Sequence, residues 1–323
     1  MSTTAARPGP ATPPAPPAAP APAAHRPRRR RPGLTAYVLL VPAVLVLLAG
    51  MGYPLYWQVV TSMQEFGLAQ QFGQPPTFVG LDNYARIFTD DRLWAVVARS
   101  IVFCLVNAFA TVILGVLFAL LMKAVHPVVR IVLQVALLLA WAMPMVAAVT
   151  VWKWLFDWRT GVVNWLLVQV GFDQYSGHAW LAQPLSFFFV ATVIIVWMSV
   201  PFVALSVYAA LTQVSDEVLE AARIDGAGPT RILWHITMPL IRPVLSIVLL
   251  LQIIWDLRVF AQIRLLQDSD APVSETNLLG NFIFELGIGR QDFAGAAAVS
   301  IFVLALTVLL SWPYVRNLLK EDA

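Results

Sequence analysis

The chain is 323 residues long and is short of charge, of cysteine and of nucleotide- or metal-binding motifs. Only 12% of its residues are Asp, Glu, Lys or Arg, where an average soluble domain has about a quarter. With 59% apolar residues and a mean hydropathy of +0.74, that scarcity excludes a soluble enzyme, a disordered scaffold and a nucleic-acid binder. The single cysteine, Cys104, has no partner for an internal disulfide, and no Cys/His spacing suits zinc. Inside its apolar run, Cys104 reads as a small packing residue. No Walker A loop, no His-Glu-x-x-His and no Gly-x-Ser-x-Gly occurs, so the chain lacks the motifs of a P-loop ATPase, a zinc protease or a serine hydrolase. Short alternating strands of the porin type are absent too.

What is present begins with a compositionally separate tail. Residues 1–33 hold ten of the 23 prolines and nine alanines, and end in His25-Arg26-Pro27-Arg28-Arg29-Arg30-Arg31. Proline fixes φ and removes donors, and nothing bulky and apolar is there to pack. A disordered or polyproline-like cytoplasmic tail is expected. It is long for the n-region of a signal peptide, and the apolar run behind it is too long for an h-region. An uncleaved first transmembrane helix follows from that.

Residues 34–323 read as one transmembrane domain. Six stretches can cross about 30 Å of hydrocarbon at about 1.5 Å per residue. They are 34–60 (interrupted by Pro42, Gly50, Gly52 and Pro54), 100–122, 131–152, 185–211, 244–266 and 293–315. Only the fifth contains charged residues. An even number of spans puts both ends on one side. With the N-terminus inside, the inner segments carry 13 of the 21 Lys/Arg and 6 of the 18 Asp/Glu, a net +7, which leaves −4 outside. The Lys/Arg excess sets this orientation. The four arginines at 28–31 act as a topology signal and can touch anionic lipid. Trp152, Trp154, Trp158, Trp165 and Trp180 are expected to form a boundary belt, with a short interfacial helix over 161–171. His126, beside Pro127, reads as a turn residue, and Asn107 as a bond to another helix.

The loop between the fourth and fifth spans, about 212–243, carries the most information. Ser215 is a good N-cap, and Asp216 and Glu217 suit the positive end of a helix. Gly226 can take φ > 0 after Asp225 and end that helix. Pro229 suits the first position of a second helix, in which Ile232, Leu233 and Ile236 share a face. Pro239 and Pro243 are expected to stop it and send the chain back into the membrane.

Glu220, Ala221, Ala222, Asp225, Gly226, Ala227, Ile236, Pro239 and Pro243 follow, in order and spacing, the pattern Glu-Ala-Ala, two residues, Asp-Gly-Ala, then an Ile and two prolines. The segment resembles the EAA loop of ABC-importer permeases. Leu233 stands where that loop usually has an aromatic, with Trp234 beside it. Tyr53-Pro54, Phe78-Val79-Gly80-Leu81-Asp82-Asn83-Tyr84, Trp255-Asp256-Leu257-Arg258-Val259-Phe260 and Phe293-Ala294-Gly295-Ala296-Ala297-Ala298-Val299-Ser300 look like sugar-type permeases of the maltose-transporter family, and more narrowly its first permease. The Thr-Gly-Gly-x-Pro turn common after the fifth helix is absent. Gln267-Asp268-Ser269-Asp270-Ala271-Pro272 stands there, so no substrate is carried over by analogy.

The resemblance implies an all-α protein of the bacterial plasma (inner) membrane, with six transmembrane helices, both termini cytoplasmic and a cytoplasmic EAA loop. It implies no catalytic residue, metal or cofactor in this chain, since ATP and Mg are used by partner ATPases. The implied partners are a second permease, two ATP-binding subunits, an extracellular or periplasmic solute-binding protein and membrane lipid, without nucleic acid. The first EAA helix would sit in a cleft on an ATPase, with Glu220 able to pair with a basic residue and Gly226 permitting the bend. Glu220, Ala221, Ala222, Asp225, Gly226, Ala227 and Pro239 are the candidate coupling residues.

A second candidate site is the charged fifth span. A charge at mid-bilayer costs roughly 2.5–3.5 kcal/mol on insertion scales, so it faces a cavity or a partner. Gln252 and Asp256 are four apart and share a face, whereas Arg258 points elsewhere. Two readings stand. Gln252, Trp255, Asp256 and Arg258 mark a solute path, where amide and carboxylate bond hydroxyls and the indole stacks on a sugar ring. Alternatively, Asp256 and Arg258 hold neighbouring helices. The expected function is uptake of a neutral sugar or oligosaccharide, with polyol, amino sugar and glycerol phosphate open within the class. A phosphate substrate would want several converging cations, and only Arg258 and Arg264 are near. An ion-coupled secondary transporter would bring more intramembrane acids, broken helices and an inverted repeat. An intramembrane enzyme would need a nucleophile–base or metal set, and none is visible.

Overall fold

A computed structural model describes residues 34–269 and 271–321. The expected tail, 1–33, lies outside the described residues. The chain divides into two compact units, 1–53 and 54–323.

In the first unit, α1 (Leu34–Leu47) runs straight through Pro42 into a π-helical turn, Leu48–Gly52. Side chains 38–51 are all exposed, a surface that hydrocarbon suits better than water. The second unit, from Pro54, begins within helix α2 (Tyr53–Ser62). Then comes a two-stranded antiparallel ribbon, β1 (Gln64–Glu65) and β2 (Thr77–Phe78), with Gln64 opposite Phe78. The short α3 (Leu68–Gln71) lies between the strands, and α4 (Asp82–Phe88) comes after them. Asn83 Nδ2 donates to the carbonyls of Ser62 (3.0 Å) and Gln64 (2.8 Å), and the Tyr84 hydroxyl meets Ser62 Oγ at 2.7 Å. The Asp82-Asn83-Tyr84 stretch therefore fastens α4 to the end of α2.

The long helices follow. They are α5 (Asp91–Ala124), α6 (Pro127–Ala142), α7 (Met145–Leu155), the short α8 (Val162–Gln169) and α9 (Pro184–Thr212). Next are α10 (Asp216–Ile224), α11 (Pro229–Ile232) and α12 (Met238–Leu257). Three short helices, α13 (Ala261–Gln267), α14 (Val273–Thr276) and α15 (Leu279–Phe284), lead to α16 (Phe293–Glu321). Among the described residues five helices are long and apolar enough to cross a membrane, and six if α6 and α7 form one span.

Five expectations change. The third span is not one helix, because α6 and α7 meet at 101°. Pro144 is the cause. It holds Met143 extended (φ −65, ψ 129) and supplies no N–H. The fifth span is not 244–266. Its helix runs unbroken over Pro229–Leu257 and ends at Arg258, leaving α13 separate. Pro239 and Pro243 do not stop it. A π-helical turn, Leu233–Thr237, precedes Pro239, as Leu48–Gly52 precedes Pro54. The wider turn makes room for the ring and the missing donor. Asn107 bonds its own helix, Nδ2 to the Phe103 carbonyl at 2.7 Å, the nearest acceptor. Trp180 is buried rather than in a belt, with its indole N–H on Asn164 Oδ1 at 2.5 Å. His126 does cap a turn, its Nδ1 accepting from Val128 N at 3.4 Å.

The core is built around α5. Its buried face includes Ser100, Cys104, Asn107, Ala108, Thr111, Gly115 and Ala119, all small or of modest size. Small residues let helices approach closely in lipid, where no water drives them together. A Cβ on Gly115 would overlap the Val203 side chain of α9. Cys104 packs as expected, with its Sγ donating to the Ile253 carbonyl of α12 at 3.4 Å. Gly115→Val should therefore cost about 1–3 kcal/mol through overpacking, read as a lower thermal midpoint in detergent. An unchanged midpoint would contradict the close α5–α9 contact.

Candidate functional site

The first site is α10 and the turn after it. Ser215 occupies the N-cap position, though its hydroxyl makes no capping bond. Asp216 and Glu217 stand in the first turn and Arg223 in the last, matching the helix dipole at both ends. The other end is closed by the backbone. Gly226 N–H donates to Arg223 O and Ala227 N–H to Ala222 O, each at 3.0 Å, with Gly226 at φ +79. These two crossed bonds are a Schellman motif, in which the left-handed residue is best a glycine. The Asp225-Gly226-Ala227 stretch thus ends α10, and Gly228 then caps the helix that starts at Pro229.

This short helix is held by one side only. Leu219 and Ala222 are buried, whereas Val218, Glu220, Ala221, Ile224 and Asp225 are exposed. Ile224, the last residue of α10, is 86% exposed. Glu217, Glu220, Ala221 and Ile224 recur at helical spacing, so two acidic and two apolar side chains share one open face. Pro239 is exposed further along, and Ala227 is half-buried. The root of the loop is tied down, since Lys123 at the end of α5 donates to the Leu211 carbonyl of α9 at 3.2 Å.

The second site lies on α12, and the structure divides its four candidates. Gln252 and Asp256 are buried, at 0% and 3% exposure, whereas Trp255 and Arg258 are exposed. Both polar atoms of Gln252 and Oδ2 of Asp256 have no hydrogen-bond partner among the described residues, nor do Asn107 Oδ1 and Thr111 Oγ1 on α5. No ion pair links Asp256 to Arg258 among the described residues. Trp255 packs against Phe202 of α9 with ring centroids 5.2 Å apart, and Phe202 stacks on Trp141 of α6 at 6.4 Å. Sequence reasoning missed Phe202 and Trp141, which lie 53 and 114 positions from Trp255.

It missed a third feature as well. Glu285 pairs with Arg92 and Arg290, both at 2.9 Å, and accepts from Asn277 Nδ2 at 2.6 Å. Arg99 donates to the Asn277 carbonyl at 3.0 Å, and the buried Gln267 bonds Thr276 and Asn277. Gln267, in the place of the missing glycine turn, thus anchors the segment between α12 and α16.

The sequence of residues 111–316 matches the family model described as "Binding-protein-dependent transport system inner membrane component". The chain belongs to this family. It is therefore an inner-membrane, multi-pass permease. It is 38% identical over 297 residues to the diacetylchitobiose uptake system permease protein DasB of Streptomyces coelicolor, covering 92% of this chain and 90% of that one. Identity to the trehalose/maltose transport system permease protein MalF of Thermococcus litoralis is 29% over 282 residues, covering 87% and 92%. In three dimensions the permease superposes on a chain of a bacterial ABC transporter importing the acidic polysaccharide alginate, with a TM-score of 0.73 at 22% identity, covering 88% and 94%. That likeness shows the ABC-importer permease fold.

Gly226→Val places a β-branched residue at φ +79, where L-residues are disfavoured by about 1–2 kcal/mol. The expected result is faster amide exchange over 216–227 with the long helices unchanged. Exchange as slow as in the parent chain would refute the Schellman closure.

Proposed function

We propose that this chain is one of two permease subunits of an ATP-binding-cassette importer for a sugar or oligosaccharide. Six spans, with α6 and α7 as one, put both termini and α10 on the cytoplasmic side. Two partner ATPases use ATP and Mg, and an external solute-binding protein delivers solute. The observation that carries this reading is α10 itself. It is closed at its C-terminal end by the Gly226 turn, follows a loop root where α5 is tied to α9, and leaves Glu217, Glu220, Ala221 and Ile224 uncovered in a chain of this family. A helix so held transmits a push as a rigid lever, and it couples only if its contacts differ between two states. Ala221, Ala222 and Ala227 keep it thin, Asp225 and Gly226 fix its end, and Pro239 lies where the lever enters α12.

For the solute path, the exposed Trp255 and the half-buried Phe202 offer ring faces for a pyranose. Gln252 and Asp256, buried and short of partners here, would gain hydroxyl partners when α12 parts from α5. Arg258, exposed at the end of α12, marks the mouth. One exposed arginine beside aromatic rings and amides favours a neutral sugar over a phosphate. DasB's named solute, diacetylchitobiose, is a disaccharide, which favours the same class with N-acetyl amino sugars included.

In vesicles containing the full complex, Glu220→Ala should lower the ATPase stimulation by loaded binding protein about tenfold, within the range of typical coupling energies, while basal hydrolysis persists. Trp255→Ala should raise the KM for sugar uptake and leave that stimulation in place. Full stimulation in the first variant, or unaltered uptake in the second, would overturn the assigned roles.

A further inference from the structure

Between α7 and α8 the chain makes a tight turn at the end of the third span. Asp157 Oδ1 accepts from Thr160 N (2.8 Å), Arg159 N (2.9 Å) and Thr160 Oγ1 (3.0 Å). The Thr160 N–H above all, with the other donors, holds this carboxyl below the usual carboxylate range. The turn is rigid in a second way. Gly161 leaves no room for a side chain, since a Cβ there would strike the Asp157 and Leu155 backbone. Arg159 is thereby set over the face of Trp158, its Cζ 4.3 Å from the ring centre. It makes no ion pair among the described residues.

Beside it is a cleft of about 380 Å³, within the range of small-molecule sites. Its walls include Trp158, Arg159, Thr160, Val162, Trp165 and Ser176. The far wall is stiff, because Asn164 donates to the His178 carbonyl at 3.0 Å and Tyr175 stacks on Trp180 at 5.2 Å and 6°. Around the cleft the surface is apolar and open. Trp154, Trp158, Trp165, Leu166, Val170 and Phe172 are all exposed.

We propose that this cleft binds the phosphodiester headgroup of an anionic phospholipid, with Arg159 on the phosphate and Trp158 and Trp165 at the level of the glycerol backbone. Three observations select this occupant. A guanidinium stacked on an indole is held in place, yet keeps N–H groups for two phosphate oxygens. The exposed rim places tryptophans at the end of a membrane span, where such rings sit among headgroups. The apolar surface of α8 continues from the cleft as a bed for acyl chains. A sugar would find two rings here but few free hydrogen-bonding groups, since Asp157 and Asn164 are already engaged.

The test uses the purified complex without solute or nucleotide, so it does not depend on what is transported. Its thermal midpoint is measured in phosphatidylcholine vesicles with and without phosphatidylglycerol, and retained lipid is counted by native mass spectrometry. The parent protein should be stabilised by phosphatidylglycerol and retain it. Arg159→Ala should bind it about fivefold more weakly, the loss expected for one basic residue at an anionic surface, and lose the lipid-dependent shift. Its midpoint in phosphatidylcholine alone should stay that of the parent. Arg159→Lys should recover part of the shift, and Trp165→Ala should lose part of it. A shift that survives Arg159→Ala would overturn the site. Equal protection by inorganic phosphate would overturn the lipid as its source. Loss of the second permease from the Arg159→Ala complex would assign the surface to a subunit contact instead.

Discussion

Hydrocarbon offers no hydrogen bonds, so the chain must satisfy its own backbone wherever it crosses. The rest of the structure follows from that constraint. It makes the spans helical, and it decides what happens at each proline. Where a proline falls after a π turn, as at Pro54 and Pro239, the helix continues. Where it follows an extended residue, as at Pro144, the helix breaks and turns by 101°. The same residue type thus gives a continuous lever in one span and a corner in another.

The continuous helix bears on the proposed coupling. Pro229–Leu257 is a single run of 29 residues. It begins just after the Schellman turn of α10 and ends at Trp255, Asp256 and Leu257. In the proposed coupling, movement of α10 crosses the short Asp225–Gly228 turn and then reaches the candidate solute path along one helix. The two polar regions differ in how far their groups are bonded. Around Glu285, Arg92, Arg290, Asn277, Gln267 and Thr276 are joined by hydrogen bonds and ion pairs that hold the segment between α12 and α16. On α5 and α12, Asn107, Thr111, Gln252 and Asp256 keep unpartnered atoms among the described residues. Burying such a group without a bond costs about 1–3 kcal/mol.

The sequence made some of this legible and hid the rest for physical reasons. The local parts were readable. Gly226 after Asp225 pointed to the end of a helix, Pro229 to the start of the next, and hydropathy to five of the crossings. Proline was read too simply, because its effect depends on the turn before it and on packing around the helix. Long-range partners were beyond reach. Arg92 and Glu285 stand 193 positions apart, and neither carries a local sign of the other. Trp180 looked like its exposed neighbours, yet Asn164 and a set of rings draw it inside. Of the α12 candidates, spacing correctly grouped Gln252 with Asp256, but it gave no warning that Trp255 would face Phe202.

The claim on which the rest turns is that the open face of α10 is where an ATPase attaches. The most direct measurement is site-specific cross-linking from a cysteine at Ala221, on a Cys104→Ser background, in membranes containing the partner ATPases. One cross-linked ATPase per permease is expected, with a yield that changes between the nucleotide-free and the ATP-trapped complex. No cross-link from Ala221, in a complex that retains its ATPases and whose Ala221 cysteine reacts fully with a thiol label, would contradict it.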